Sequence, residues 1–263
     1  MTSSKRKGAA EQQPSATVYN TCSIEGLPIY VEDGIIDLEI LDPPFGIKGD
    51  RVSYRISGGE LKDFIVPGYQ EVAAEKYASF AHHFMRAAYN ALRKGGTACV
   101  FTSGRNLHHI RNAADRIGFR YDTKVVWVYS GMYCTNRFIE SHYDILIFTK
   151  PPLKKRTFNT CCRFKSPKVS SHDRDNVWLD IPRKRKQDGE MRNMNRLQEN
   201  LVGKLIDYCS NPGDTVLDMF GGEFTVGHAA LKKGRNYIGF EINKHAVDEF
   251  AENLPTDDLT IYQ

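Results

Sequence analysis

Pro43 and Pro44 follow directly on the apolar run 37–42, "DLEILD", and fix where that run must end. Proline has no backbone N–H, so two in succession cannot continue a sheet ladder. The run reads as a short buried strand that stops at the Asp42 carboxylate, two stiffened carbonyls and the Phe45 ring. Asp-Pro-Pro-aromatic at the end of an apolar strand is more than a turn signal. It sets chemistry-bearing groups at one point of a sheet.

The remaining chain alternates strand and helix patterns. Residues 69–96 carry helical periodicity, with Phe80, Phe84, Ala87, Ala88, Ala91 and Leu92 on one side, and end at a double glycine. A strand follows at 97–102, a helix at 106–119, and paired strands near a sheet edge at 124–129 and 143–150. Beyond a basic, turn-rich stretch at 151–175 lie a helix (197–210), a strand (215–219), a helix, a strand (236–242) and a closing helix. Such alternation predicts an α/β fold on a mostly parallel sheet. With 263 residues, one domain over 17–263 is expected, behind a polar tail at 1–16 that has nothing to bury.

Charge informs through its clustering. The formal net charge is only +4, yet residues 151–171 hold six Lys or Arg and no acid, and Arg183–Lys186 is an unbroken basic run. Two such runs beside an active-site core point to an anionic polymer as partner. The six cysteines form no CxxC pair, so neither a metal centre nor a disulfide framework is expected. No apolar run approaches membrane-spanning length, and the N-terminus lacks the apolar stretch of a signal peptide. The expectation is an intracellular protein with no membrane partner, cytoplasmic in a prokaryote or virus and nuclear in a eukaryote.

Ligands of open α/β sheets bind beyond the carboxyl ends of the strands. Besides Asp42, two further strand ends are furnished. "VLDMFGGEF" closes a strand with Asp218 ahead of Gly221-Gly222, and "IGFEIN" closes the next with Glu241, placed as an acid for ribose hydroxyls would be. The loop is not GxGxxG, so a nucleoside without a pyrophosphate suits it.

Together these segments resemble the S-adenosylmethionine-dependent amino-methyltransferases of nucleic acids, which methylate an exocyclic amine of adenine or cytosine. Their catalytic motif is matched by Asp42-Pro43-Pro44-Phe45. The cofactor half follows the catalytic motif, which is the permuted order of the beta class of DNA methyltransferases. The likeness runs from about Asp37 to Asn243, and includes "YNALRKGGTACVF", "RFIESHYDILIFTK" and "NVWLDIP". It implies a Rossmann-like methyltransferase fold with a seven-stranded sheet and an antiparallel edge strand. A catalytic half at 37–150, a basic recognition segment at 151–192 and a cofactor half at 193–263 would follow. The cofactor would be S-adenosylmethionine, held by Asp218, Phe220, Gly221, Gly222, Glu241 and Asn243. The partner would be DNA, contacted by Lys48, Arg51, Arg137, Lys154, Lys155 and Arg156. A second copy or a partner subunit also fits the class.

The resemblance implies a mechanism. Asp42 and the Pro43 carbonyl accept the two N–H bonds of the amine, and Phe45 stacks on a base flipped out of the duplex. Asp at the head of the motif favours adenine N6, with cytosine N4 as the alternative. Three departures stand out. The family's Phe-x-Gly-Ser-Gly-Thr loop is Phe220-Gly221-Gly222-Glu223-Phe224-Thr225 here, and its His-Pro-Thr-Gln-Lys-Pro segment is replaced by "NMNRLQENL" (193–201). Its N-terminal Gly-Asp has no counterpart in "TVYNTCSIEG" (17–26). An RNA methyltransferase of the same chemistry and a catalytically silent nucleic-acid-binding subunit are the competing expectations.

Overall fold

A computed structural model of the chain describes residues 13–46, 53–55, 61–63, 71–129, 138, 141–160, 174–181 and 196–263. In the first half, β1 (Ala16–Tyr19), α1 (Ser23–Tyr30) and β2 (Ile36–Leu41) precede a small hairpin of β3 (Ser53–Arg55) and β4 (Leu61–Asp63). Then come α2 (Tyr77–Ala91), β5 (Leu92–Thr102), α3 (Leu107–Ile117), β6 (Arg120–Val128) and β7 (His142–Thr149). The second half holds β8 (Val177–Trp178), α4 (Glu199–Cys209), β9 (Thr215–Asp218), α5 (Thr225–Lys232), β10 (Asn236–Phe240), α6 (Lys244–Phe250) and β11 (Leu259–Tyr262).

Among the described residues, nine strands form one sheet in the order β11-β1-β10-β9-β2-β5-β7-β6-β8. Six of them, from β11 to β5, run parallel, and β7 is antiparallel to both β5 and β6. The α/β, mostly parallel expectation holds, with two differences of detail. The sheet has nine strands rather than seven, and the antiparallel strand is interior, because β6 and β8 add beyond it. Apolar side chains on alternate strand positions fill both faces. Leu38, Ile40, Cys99 and Val216 join α4 and α5 on one side. Leu41, Val100, Leu146 and Leu217 pack on the other side against Phe84 and Ala88 of α2 and Ala114 of α3.

Two boundaries differ from the sequence reading. The helix at 69–96 is shorter, because β5 already starts at Leu92 and Gly95 (φ +84°) lies against the backbone of Lys155. Order also begins before residue 17. The Ser15 N–H donates to Asn236 Oδ1 (3.1 Å), and the Ala16 N–H donates to the Asp258 carbonyl (2.8 Å). Residues 1–12 of the expected tail lie outside the described residues. Because β2, β9 and β10 are neighbours, their carboxyl ends set Asp42, Asp218 and Glu241 side by side. No helix among the described residues is long and apolar enough to cross a membrane.

Candidate active site

The Asp42–Phe45 corner is held by groups from outside it. Asn106, just ahead of α3, donates its side-chain N–H to the Phe45 carbonyl. Glu71 accepts the Gly46 N–H (2.7 Å) and the Val72 N–H (3.0 Å) on one oxygen. Gly46 takes φ +67°, and a Cβ there would stand 3.1 Å from the Tyr77 ring and 3.2 Å from Asn106. Only glycine fits both the backbone and the space. The motif leads into a cavity lined by Asp42, Phe45, Phe101, Trp127, Tyr143, Arg196 and Leu197. Phe45 stacks on Tyr143 with ring centroids 5.5 Å apart. Trp127 is buried and donates its indole N–H to the Ile181 carbonyl (2.7 Å), and it also walls the cavity.

Electrostatics single out the three strand-end acids. Burial, reinforced by Asp218, pushes the Asp42 carboxyl up to about 8. Burial also raises Asp218 to about 7, against the Phe220 N–H that favours its charge, with Glu241 adding to the rise. Burial raises Glu241 as well, although N–H groups of Asn243, Gly222 and Ile242 partly offset it. Three carboxyls side by side, each reluctant to ionise, form a site that a cation would relieve.

The glycine loop separates roles that its sequence blurred. Glu241 accepts the Gly222 N–H on one oxygen (2.7 Å) and the Asn243 N–H on the other (2.7 Å), so it orders the loop while keeping lone pairs for a ligand. Gly222 takes φ +51° under open space, whereas a Cβ on Gly221 would strike the Phe224 ring at 2.7 Å. Gly221 is therefore a packing requirement, and Gly222 is where a ligand can approach. Asp218 is buried and holds the Phe220 N–H (3.0 Å) and the Tyr237 hydroxyl (3.4 Å), so it acts through structure and charge. The Asn243 side chain caps α6 by accepting the His245 N–H (3.1 Å). Phe220 packs edge-on against Phe84 of α2 (5.6 Å). Asn20, not anticipated from the sequence, donates to the Glu241 carbonyl (2.8 Å) and fixes the strand end.

The profile of a family described as DNA methylase matches residues 36–252. The chain belongs to this DNA methylase family. Among curated relatives, it is 27% identical over 237 residues to the Type II methyltransferase M.HpaI of Haemophilus parainfluenzae, covering 86% of this chain and 70% of that protein. It is 28% identical over 233 residues to the DNA adenine methyltransferase YhdJ of Escherichia coli K12, covering 81% and 74%. The solved structure of an M1.HpyAVI–SAM complex superposes with a TM-score of 0.63 at 19% identity, over 92% of this chain and all of that one.

The methylase departs from the family loop at Glu223 and Phe224, and both residues are accommodated. Glu223 is buried and pairs with Arg196 (3.2 Å). Phe224 is fully buried in the α4–α5 core and takes φ +53° at the N-cap of α5, where the family has glycine. Losing such a ring costs about 3–5 kcal/mol, and left-handed backbone in a non-glycine residue costs about 1–2 kcal/mol. Phe224→Ala should lose the ring and keep the strain. Phe224→Gly should be the milder change by about 1 kcal/mol, as read by urea unfolding.

The described start of the basic segment lies away from the site. Thr97 of β5 faces Thr149, immediately before that segment, while Thr102 lies at the catalytic end of the same strand. From Thr97 to Thr102 is about 17 Å, so Lys154, Lys155 and Arg156 sit at the amino ends of the parallel strands. Arg156 pairs with Asp122 (3.2 Å), and the Lys155 carbonyl accepts from Arg93 (3.2 Å). The DNA contacts expected of Lys154, Lys155 and Arg156 would therefore fall at the end of the sheet opposite Asp42. Lys154→Ala with Lys155→Ala should leave the salt dependence of DNA binding unchanged, whereas each lost phosphate contact would lower the log–log slope by about 0.9. Lys48, Arg51, Arg137 and Arg183–Lys186 lie outside the described residues.

Proposed function

We propose that the chain transfers a methyl group from S-adenosylmethionine to the exocyclic amine of a flipped-out base in DNA, adenine N6. The observation that carries this reading is the convergence of Asp42 and Phe45, the two ends of the Asp-Pro-Pro-Phe corner, on one aromatic cavity beside the acid row Asp218–Glu241. The donor set fits the cofactor: the row suits a cation, and Glu241 is a charge-assisted acceptor for ribose hydroxyls. The adenine relatives and the cofactor-bound relative support the same reading.

When bound, S-adenosylmethionine supplies an electrophilic methyl group on a cationic sulfur. The chain makes the amine a nucleophile. Asp42 and the Pro43 carbonyl accept one N–H each, which turns the nitrogen lone pair out of conjugation with the ring. Methyl transfer, with the bonding pair left on the leaving sulfur, would leave the amine with a proton to lose. Asp42, with its carboxyl near 8, is matched to accept it. Phe45 and Tyr143 offer faces for the base.

Asp42 works as a carboxylate, so kcat/KM should rise with pH and level off above about 8. The functional test is expression in a host without DNA methylation, with digested genomic DNA analysed by mass spectrometry. N6-methyladenine is the expected product. N4-methylcytosine alone would overturn the adenine assignment, and unmodified DNA with methylated RNA would overturn the DNA assignment.

A further inference from the structure

Arg196 enters the base cavity from the opposite side of the chain to the catalytic motif, and no motif of the sequence assigns it a role. Its Nε donates to Thr225 Oγ1 (3.0 Å), and its Nη1 pairs with Glu223 Oε2 (3.2 Å). Both partners belong to the glycine-loop side of the fold. Nη2 makes no hydrogen bond to another described residue. The side chain is about one-quarter exposed (27%), while Glu223 beneath it is buried (5%).

We infer that Arg196 is a specificity-determining residue that donates from Nη2 to a ring nitrogen flanking the exocyclic amine of the target base. Three physical points carry the inference. Arg196 is a cationic donor among the residues that line a cavity whose carboxylate, Asp42, is given to the amine. Adenine offers an acceptor on each side of N6, at N1 and N7, so a donor fixed beside the amine meets a lone pair. Finally, Glu223 already balances the guanidinium charge, so the pair presents a directed N–H without net charge. That arrangement suits a neutral base better than an anion such as a phosphate or the cofactor carboxylate.

The inference rests on the methyl-transfer reading, and its test separates the two. Methylation of an adenine duplex by the parent upholds that reading whatever Arg196 does. Parent and Arg196→Met are compared on duplexes carrying adenine, 1-deazaadenine or 7-deazaadenine at one methylated site. The parent should lose about 10- to 100-fold in kcat/KM on one analogue, the range for a hydrogen bond to a charged group. Arg196→Met should show a similar loss on adenine and no further loss on that analogue, a full coupling of the two changes. Its affinity for S-adenosylmethionine should match the parent. Glu223→Gln, which keeps an acceptor for Nη1 but removes the charge, should retain the analogue preference. Equal parent rates on all three bases, an analogue penalty undiminished in Arg196→Met, or a weakened cofactor affinity in that variant would each overturn the assignment.

Discussion

Asp42→Asn should abolish most turnover while making the folded protein more stable. Removing one preorganised electrostatic contact to a transition state typically lowers kcat about 100- to 1,000-fold. In the proposed mechanism the lost carboxylate both polarises the amine and takes its proton, so the upper end of that range is expected. The stability change has the opposite sign because the Asp42 carboxyl is raised, to about 8 in the fold against 3.8 ordinarily. Between those values the folded state binds more protons than the unfolded state, so stability falls as pH rises. A neutral amide escapes that cost. The side chain is partly open to solvent, which screens the effect, and roughly 1–2 kcal/mol at pH 8 is expected. Single-turnover rates and melting temperatures at pH 6 and pH 8 check both halves. Stabilisation should be larger at pH 8. An unchanged rate would remove Asp42 from the chemistry.

Glu241→Gln should weaken the binding of S-adenosylmethionine by about 10- to 100-fold, corresponding to about 1.5–3 kcal/mol for a charge-assisted acceptor. The structure adds a second loss. Both carboxylate oxygens accept backbone N–H groups, from Gly222 and Asn243, and an amide has only one oxygen to offer. One N–H must then face an NH2 group, so the loop should loosen as the ligand contact weakens. Titration calorimetry should show the drop in affinity, and a lower melting temperature without ligand should show the loosened loop. Glu241→Asp separates the effects, because it restores the charge at a shorter reach. An unchanged dissociation constant in Glu241→Gln would exclude a contact with the cofactor.

The catalytic corner was legible because its chemistry is local. A strand, a carboxylate and two prolines are contiguous, and their consequences follow from backbone rules. Glu241 was legible for the same reason. Asp218 and Asn243 were less so, since a strand-end acid and an amide can serve a ligand or a backbone N–H equally well; each accepts a backbone N–H, and Asp218 also the Tyr237 hydroxyl. The strands β1 and β11, at one end of the sheet, are four residues each and pair in parallel across nearly the whole chain, so no local periodicity announces them. The position of Lys154, Lys155 and Arg156 was not legible, because charge clustering says nothing about which end of a sheet a loop occupies. The Arg196–Glu223 pair did leave a trace. Two departures from the family pattern, one bringing a cation and one an anion, fall in separate segments that meet in the fold.

The brace of Glu71 on Gly46 brings together the two ends of residues 47–70, the stretch that carries the β3–β4 hairpin. Asn106 grips Phe45 independently, just before that stretch leaves. Among the described residues, the reacting groups thus take their geometry from residues on either side of that stretch and from Asn106 at the head of α3. Such an arrangement is modular. A lineage can lengthen, shorten or exchange what lies between Gly46 and Glu71, and so change the surroundings of the substrate, while inheriting the chemistry intact.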